Sequence, residues 1–305
     1  MDQRLFDYIL TFPDRDSEDK YNSLIGVDDA KVRLEKESIL LLNPTLLATW
    51  SIQKHGRVIP LVKLVENRHA LFIMAGDVGT GKTTLAETFG NHLALTHDLH
   101  ITLFRLSLST RGNGSVGDMT HYLSQAFQEI LKFTDQLKNY DGTYASSCIL
   151  LIDEADALAQ SRDEVKMQHE DRAGVDGLIQ GIDRITKAHV PVLTVMCTNR
   201  LSAIDPAVRR RAAAIFIFNR PDEEQRYGLF KTYLEGTAIN DDQLRELAKL
   251  TGPNETRKYG YTYSDLIQTL LPALVLDTYP SEEITIDRVK ITLAHIPPTP
   301  PIDQR

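Results

Sequence analysis

The sequence predicts an α/β protein: a parallel five-stranded sheet flanked by helices, followed by a small helical lid domain. Three observations predict it. Short runs rich in β-branched and aliphatic residues recur at Leu71 to Ala75, Ile101 to Leu106, Cys148 to Ile152, Val192 to Thr198 and Ala214 to Phe218. Segments of helical periodicity separate most of these runs, and the strand signal fades after Pro221.

The runs are apolar on both faces, which requires a covering layer on each side of the sheet and makes the strands parallel. Met119, Tyr122, Leu123, Ala126, Phe127, Ile130 and Leu131 fall at the i, i+3, i+4 spacing of an amphipathic helix, and so do Val175, Leu178, Ile179, Ile182 and Ile185. Beyond Pro221, apolar residues at Tyr227, Phe230 and Leu234, at Leu244 and Leu247, and at Ile267, Leu270 and Leu271 predict three helices. Pro272 falls inside the last pattern, where its missing N–H predicts a kink or a stop. The domain limits that follow are a flexible polar segment over 1–20, a large domain over 21–220, the lid over 221–296 and a Pro-rich, extended tail over 297–305.

Composition narrows the class. The chain has 305 residues, 42% hydrophobic and 25% charged, which suits a soluble globular protein. A formal net charge of -8 argues against a general binder of nucleic-acid backbone, whose affinity comes from Lys and Arg neutralising phosphates. Met1 to Thr11 lacks the apolar core of a signal peptide, and no apolar run approaches a membrane span, so the expected location is the cytoplasm. Cys148 and Cys197 lie inside apolar runs and read as buried, reduced thiols. The nine histidines show no ligand-like spacing.

Four elements carry chemistry. Gly76-Asp77-Val78-Gly79-Thr80-Gly81-Lys82-Thr83, followed by Thr84, matches GxxxxGK[ST] directly after a strand and directly before a helix. Such a loop curls its N–H groups around phosphate oxygens at the positive end of the next helix; Lys82 reaches the β and γ phosphates of ATP, and the Thr83 hydroxyl suits Mg²⁺. The run Cys148 to Ile152 ends in Asp153 and Glu154. Asp153 is placed for the Mg²⁺ shell and Glu154 for accepting a proton from attacking water. Asn199 closes the run Val192 to Thr198, where an amide can orient that water. Next, Asp205-Pro206-Ala207-Val208-Arg209-Arg210-Arg211 clusters arginines that cannot all serve one phosphate, so one is expected to reach a neighbouring subunit, with Arg211 ranked first and Arg210 second.

Together these segments resemble AAA+ ATPases, and within them the pachytene-checkpoint branch that remodels HORMA-domain proteins. The landmarks are Leu24-Ile25-Gly26, the Gly76 to Thr83 loop, the stretch "LIQGIDRI" from Leu178 to Ile185, Arg211-Ala212 and Leu271-Pro272. The resemblance implies adenine contact at Ile25 and Gly26, a homo-hexamer, a HORMA-domain substrate and, as in bacterial relatives lacking the adaptor domain, a cyclic-oligonucleotide synthase in anti-phage defence. It also implies a substrate-gripping pore loop at Arg111, Ser115, Val116 and Gly117, although Ser115 stands where translocases carry an aromatic. No arginine stands near Ser264-Asp265-Leu266, where the family places its sensor 2. A second loop, Gln160 to Arg172, mixes charges as a solvated segment does. A nucleic-acid motor, a kinase for a small acceptor and a nucleotide-gated scaffold are the competing readings; the pore segment has no stacking aromatic to favour the motor.

Overall fold

The computed structural model describes residues 3–43, 45–107, 116–140, 144–157 and 169–302. Arg111, Ser115 and residues 160–168 of the second loop lie outside the described residues, while Val116 and Gly117 open a helix. The chain divides into two compact units: Met1–Ser23, Asp28–Ala75 and Thr83–Ile217 form one, and Leu24–Val27, Gly76–Lys82 and Phe218–Arg305 the other.

The first unit begins with β1 (Phe6–Phe12), α1 (Arg15–Ser23), α2 (Asp28–Leu42), α3 (Thr45–His55) and α4 (Pro60–Glu66). It continues through β2 (Leu71–Gly76), α5 (Lys82–His97), β3 (Ile101–Leu106), α6 (Val116–Gln136) and β4 (Ser147–Ile152). Then come α7 (His169–Ala188), β5 (Val192–Thr198), α8 (Pro206–Arg209) and β6 (Ala214–Phe218). The sheet order is β1-β3-β4-β5-β2-β6. Neighbours from β3 through β4 and β5 to β2 run parallel, whereas β1 is antiparallel to β3, with Tyr8 opposite Arg105 and Phe12 opposite Ile101.

The expected five strands are all present, and a sixth, β1, lies in the stretch read as a flexible segment. Its sequence FDYILTF buries only Phe6 and Phe12 and leaves Ile9 38% exposed, because an edge strand needs just one covered neighbour. The hydrogen bonds that order it come from β3, which local sequence cannot announce. β4 and β5 are buried at every position, as strands between two helical layers must be. The stripes Leu123, Ala126, Phe127 and Ile130 of α6 and Val175, Leu178, Ile182 and Ile185 of α7 join β4 in one core.

In the second unit, α9 (Glu223–Tyr233) and α10 (Asp241–Leu250) each open on a capping box, Asp222 with Gln225 and Asn240 with Gln243. Such caps contribute about 1 kcal/mol each. A π-helical turn over Asp265–Leu270 leads into α11 (Leu271–Thr278), whose first turn holds Pro272, where a missing N–H is least costly. A further helix, α12 (Ile286–His295), was not expected: Val289 and Thr292 are its buried residues, too sparse a stripe to read as a period. These elements close a second core of Leu229, Phe230, Leu247, Leu266, Leu270, Leu274 and Val289. Residues 297–302 form neither strand nor α-helix, yet Thr299 is pinned: its hydroxyl donates to Asp265 Oδ1 at 2.6 Å and its N–H to Oδ2 at 3.1 Å.

Candidate phosphate loop and metal site

The loop Gly76–Lys82 is a turn closed on Asp77. The Lys82 ammonium donates to the Asp77 carbonyl at 2.7 Å, the Thr80 hydroxyl donates to the same oxygen at 2.8 Å, and the Val78 N–H meets Asp77 Oδ1 at 2.9 Å. Gly79 and Gly81 hold φ of +73° and +88°, values an L side chain resists. At Gly79 the space is closed as well: a Cβ would lie 2.8 Å from both Ser264 Cβ and Thr262 Oγ1, and the Gly79 carbonyl accepts the Ser264 N–H at 3.1 Å. Arg220, missed by sequence reasoning, donates from Nε to Asp77 Oδ2 at 2.8 Å and from Nη1 to the Gly260 carbonyl at 2.6 Å. The Ser264-Asp265-Leu266 position thus reaches the loop through backbone, and the nearby arginine comes from elsewhere in the chain.

Ile25 and Gly26 belong to the same unit as this loop. Gly26 has φ of +75°, a Cβ there would fall 2.0 Å from the Tyr263 hydroxyl, and its carbonyl accepts from Gln225 at 2.9 Å. Thr84 lies in the first turn of α5 and accepts the Thr88 hydroxyl at 2.7 Å.

In the other unit, Asp153 stands at the end of buried β4. Its Oδ1 accepts the Thr83 hydroxyl at 3.2 Å and the Glu154 N–H at 3.0 Å, while Oδ2 accepts from Arg105 at 3.1 Å. Thr83 and Asp153, far apart in sequence, therefore supply adjacent hard oxygens, a donor set that fits Mg²⁺ and disfavours soft metals. Arg105 also binds Glu87, which accepts the Tyr8 hydroxyl at 2.6 Å, and lies 3.8 Å from Asp7. Burial beside Glu87 pushes the Tyr8 phenol up to about 12, so it stays a donor. Sequence reasoning missed Arg105; a lone cation inside the apolar run ITLFRL was the available signal.

Glu154 adopts φ of +49°, a left-handed conformation that costs a non-glycine residue about 1 kcal/mol and concentrates at working sites. Its side chain is exposed rather than laid along the strand. Asp156, three residues past Asp153, ties the end of β5 to this turn: its Oδ1 accepts the Thr198 hydroxyl at 3.1 Å and the Asn199 N–H at 3.4 Å. Asn199 is thereby held by its backbone, leaving its amide side chain without a role in that tie.

The arginines follow Asp205, which caps α8 by accepting the Ala207 N–H at 2.7 Å. They are not equivalent. Arg211 grips Asp183 of α7 with two parallel hydrogen bonds, Nε to Oδ1 at 2.7 Å and Nη2 to Oδ2 at 3.0 Å. Arg210 is exposed. The Asp183 carboxyl is held below the usual carboxylate range, first by the Arg211 hydrogen bond. The buried Cys148 thiol is pushed up to about 12 by desolvation, and Cys197 is also buried and free of disulfide. Among the described residues no His, Cys, Asp and Glu cluster suits another metal site, and no helix is long and apolar enough to cross a membrane.

A glycine loop leading from a parallel strand into a helix, whose threonine meets an aspartate at the end of another buried strand, defines a nucleotide-binding P-loop protein of the α/β class. The profile of the ATPase family associated with various cellular activities (AAA) matches residues 72–220. Over 296 residues the chain is 45% identical to CD-NTase-associated protein 6 of Escherichia coli MS 115-1, covering 97% of this chain and 95% of that one. A relative of the same name from E. coli KTE188 is 37% identical over 299 residues, 97% of each chain. Among solved structures, one described as the E. coli MS115-1 HORMA:CdnC:Trip13 complex contains a chain with TM-score 0.92 and 43% identity, each chain covered to 98%. Rhizobiales Trip13 gives 0.76 at 38% identity, covering 97% of this chain and all of that one. The chain belongs to the AAA ATPase family, in its pachytene-checkpoint-like branch.

Proposed function

We propose that this protein hydrolyses ATP with Mg²⁺ in a homo-hexameric ring and uses the energy to unfold or reset a HORMA-domain partner in anti-phage signalling. The observation that carries the hydrolytic half is the Thr83–Asp153 contact at 3.2 Å beside the exposed, left-handed Glu154. The partner half rests on likeness over nearly the whole chain to a Trip13 protein whose solved complex contains HORMA and CdnC components. A CdnC-like cyclic-oligonucleotide synthase is then a further member of the assembly, and the cytoplasm is where such a system acts.

The residues divide the chemistry among them. Backbone N–H groups from Asp77 to Thr84 and the Lys82 ammonium bind phosphate oxygens, and Ile25 with Gly26 borders the adenine. Thr83 and Asp153 would hold Mg²⁺, which neutralises charge on the phosphates when bound. Glu154 takes the proton of the attacking water and Asn199 orients that water. An arginine of the adjoining subunit, Arg210 or Arg211, compensates charge as the γ phosphate departs. Arg111, Ser115, Val116 and Gly117 form the substrate-facing loop.

The decisive experiment is a Glu154→Gln substitution. Loss of the base lowers turnover by roughly 10²- to 10⁴-fold while fluorescent-ATP affinity is retained. Purified from its host with ATP, this form should keep a HORMA-domain protein bound. Recovery of DNA in its place points to a nucleic-acid motor, and unchanged turnover refutes the base assignment.

A further inference from the structure

The segment after α12 is stiff and anchored. Pro297, Pro298, Pro300 and Pro301 flank Thr299, and proline fixes φ, so this stretch has little chain entropy left to lose when it is held in place. Pro298 is buried, and Tyr261, itself buried, donates its hydroxyl to the Ile296 carbonyl at 2.6 Å. Thr299 then gives both its donors, hydroxyl and N–H, to Asp265. That carboxylate is 8% exposed and, among the described residues, makes no ion pair. A buried charge without a counter-ion is tolerated where hydrogen bonds replace its water. The Thr262 N–H supplies one to Oδ2 at 2.8 Å, and Thr299 supplies the others. In return the Thr262 hydroxyl accepts the Asp265 N–H at 3.0 Å, which closes the turn 262–265 on itself.

This same turn meets the phosphate loop, and all of these residues belong to one compact unit. The Ser264 N–H, inside the turn, donates to the Gly79 carbonyl, and Thr262 with Ser264 fills the space that a Cβ on Gly79 would take. A peptide unit is planar and trans, so a carbonyl held toward Ser264 turns the N–H of the same unit, that of Thr80, to the opposite side. We propose that Asp265 and Thr299 are positioning residues of the phosphate loop: the segment after α12 holds the turn 262–265, and the turn sets the direction of the peptide unit joining Gly79 to Thr80. This role rests on the phosphate-binding reading of the loop given above. Coupling between two sites is reciprocal, so bound nucleotide must tighten the Thr299 anchor by the same factor as the anchor tightens nucleotide.

The Thr299 amide is a clean reporter, because its four neighbours from 297 to 301 are prolines and have no backbone N–H. Hydrogen exchange of the full chain, read by mass spectrometry, should slow at Thr299 by at least about fivefold when ADP and Mg²⁺ are added to saturation. Thr299→Val keeps the shape and loses the hydroxyl donor. Its affinity for fluorescent ADP should fall by at least about fivefold and its KM for ATP rise in step, while kcat at saturating ATP changes by less than about twofold. Thr299→Ser keeps the donor and should bind ADP as the unaltered protein does. A segment that only props the fold gives another pattern: Thr299→Val melts earlier at unchanged ADP affinity, or exchange at Thr299 ignores ADP. Either result overturns the inference. Lys82→Ala separates it from the reading beneath it. Fluorescent-ADP affinity equal to wild type in that variant sinks the phosphate-loop assignment itself, whereas a loss there with no response at Thr299 removes only the positioning role. Should Thr299→Val fail to fold, the exchange measurement on the unaltered protein decides alone.

Discussion

Arg105 Nη2 lies 3.1 Å from Asp153 Oδ2, tying the C-terminal end of the sheet's outer parallel strand to the carboxylate at the end of its neighbour. The same guanidinium binds Glu87 of α5 and sits near Asp7 of β1, so one side chain orients the Asp153 carboxylate against both α5 and the N-terminal strand. Arg105→Gln removes the fork and leaves the carboxylates facing each other. We expect a loss of about 1–3 kcal/mol in urea unfolding and at least a roughly tenfold fall in kcat. An unchanged kcat would show that Thr83 and the Glu154 N–H alone suffice to orient Asp153.

Tyr8 belongs to this cluster through Glu87. Its phenol pKa, about 12, stands above the ordinary value of 10.0, so the protonated form is the one the fold favours. The stability it contributes is complete below pH 10 and declines as pH rises from there through about 12. Tyr8→Phe should cost about 1 kcal/mol at pH 8. The gap between the two proteins should narrow at pH 11, read by denaturant titrations at both values.

Gly79→Ala places a methyl group 2.8 Å from Ser264 and Thr262 at a φ of +73°. Space and backbone conflict together, so the loop must shift away from its present curl. A drop of at least about tenfold in fluorescent-ATP affinity is expected, with a smaller loss of about 1–2 kcal/mol in stability. Wild-type affinity would mean that the loop is remade on binding.

Gly181 of α7 faces the ring of Phe127 on α6, and a Cβ there would fall 2.2 Å from Cδ2 of a fully buried side chain. Gly181→Ala improves helix propensity by about 1 kcal/mol but overpacks the core by about 1–3 kcal/mol. Net destabilisation is the expected sign in thermal melts. The double change Gly181→Ala/Phe127→Leu should regain part of it; failure to do so would place the strain elsewhere than in this pair.

Much of this was legible without coordinates. The loop from Gly76 to Thr83, the pair Asp153-Glu154 and Asn199 all sit at the ends of apolar runs, and such runs are readable because strands covered on both faces tolerate little else. The stripes of α6 and α7 were readable for a similar reason. β1 and α12 were not: an edge strand and a sparsely buried helix carry weak periodicity, and their order comes from distant partners. Arg105, Asp156 and Arg220 were missed because each acts by reaching a carboxylate, hydroxyl or carbonyl brought near only by folding.

The sequence by itself therefore determined which groups are on offer: a glycine-rich loop, two carboxylates, an amide and a run of arginines, each fixed by local pattern. Only the tertiary structure decided how those groups are mounted. It placed Thr83 against Asp153 and gave Arg211 to Asp183. Local pattern records what a short segment must bury or turn, whereas the partner of a charged side chain is chosen by which strands and helices come to lie side by side. That choice is made by the whole chain at once.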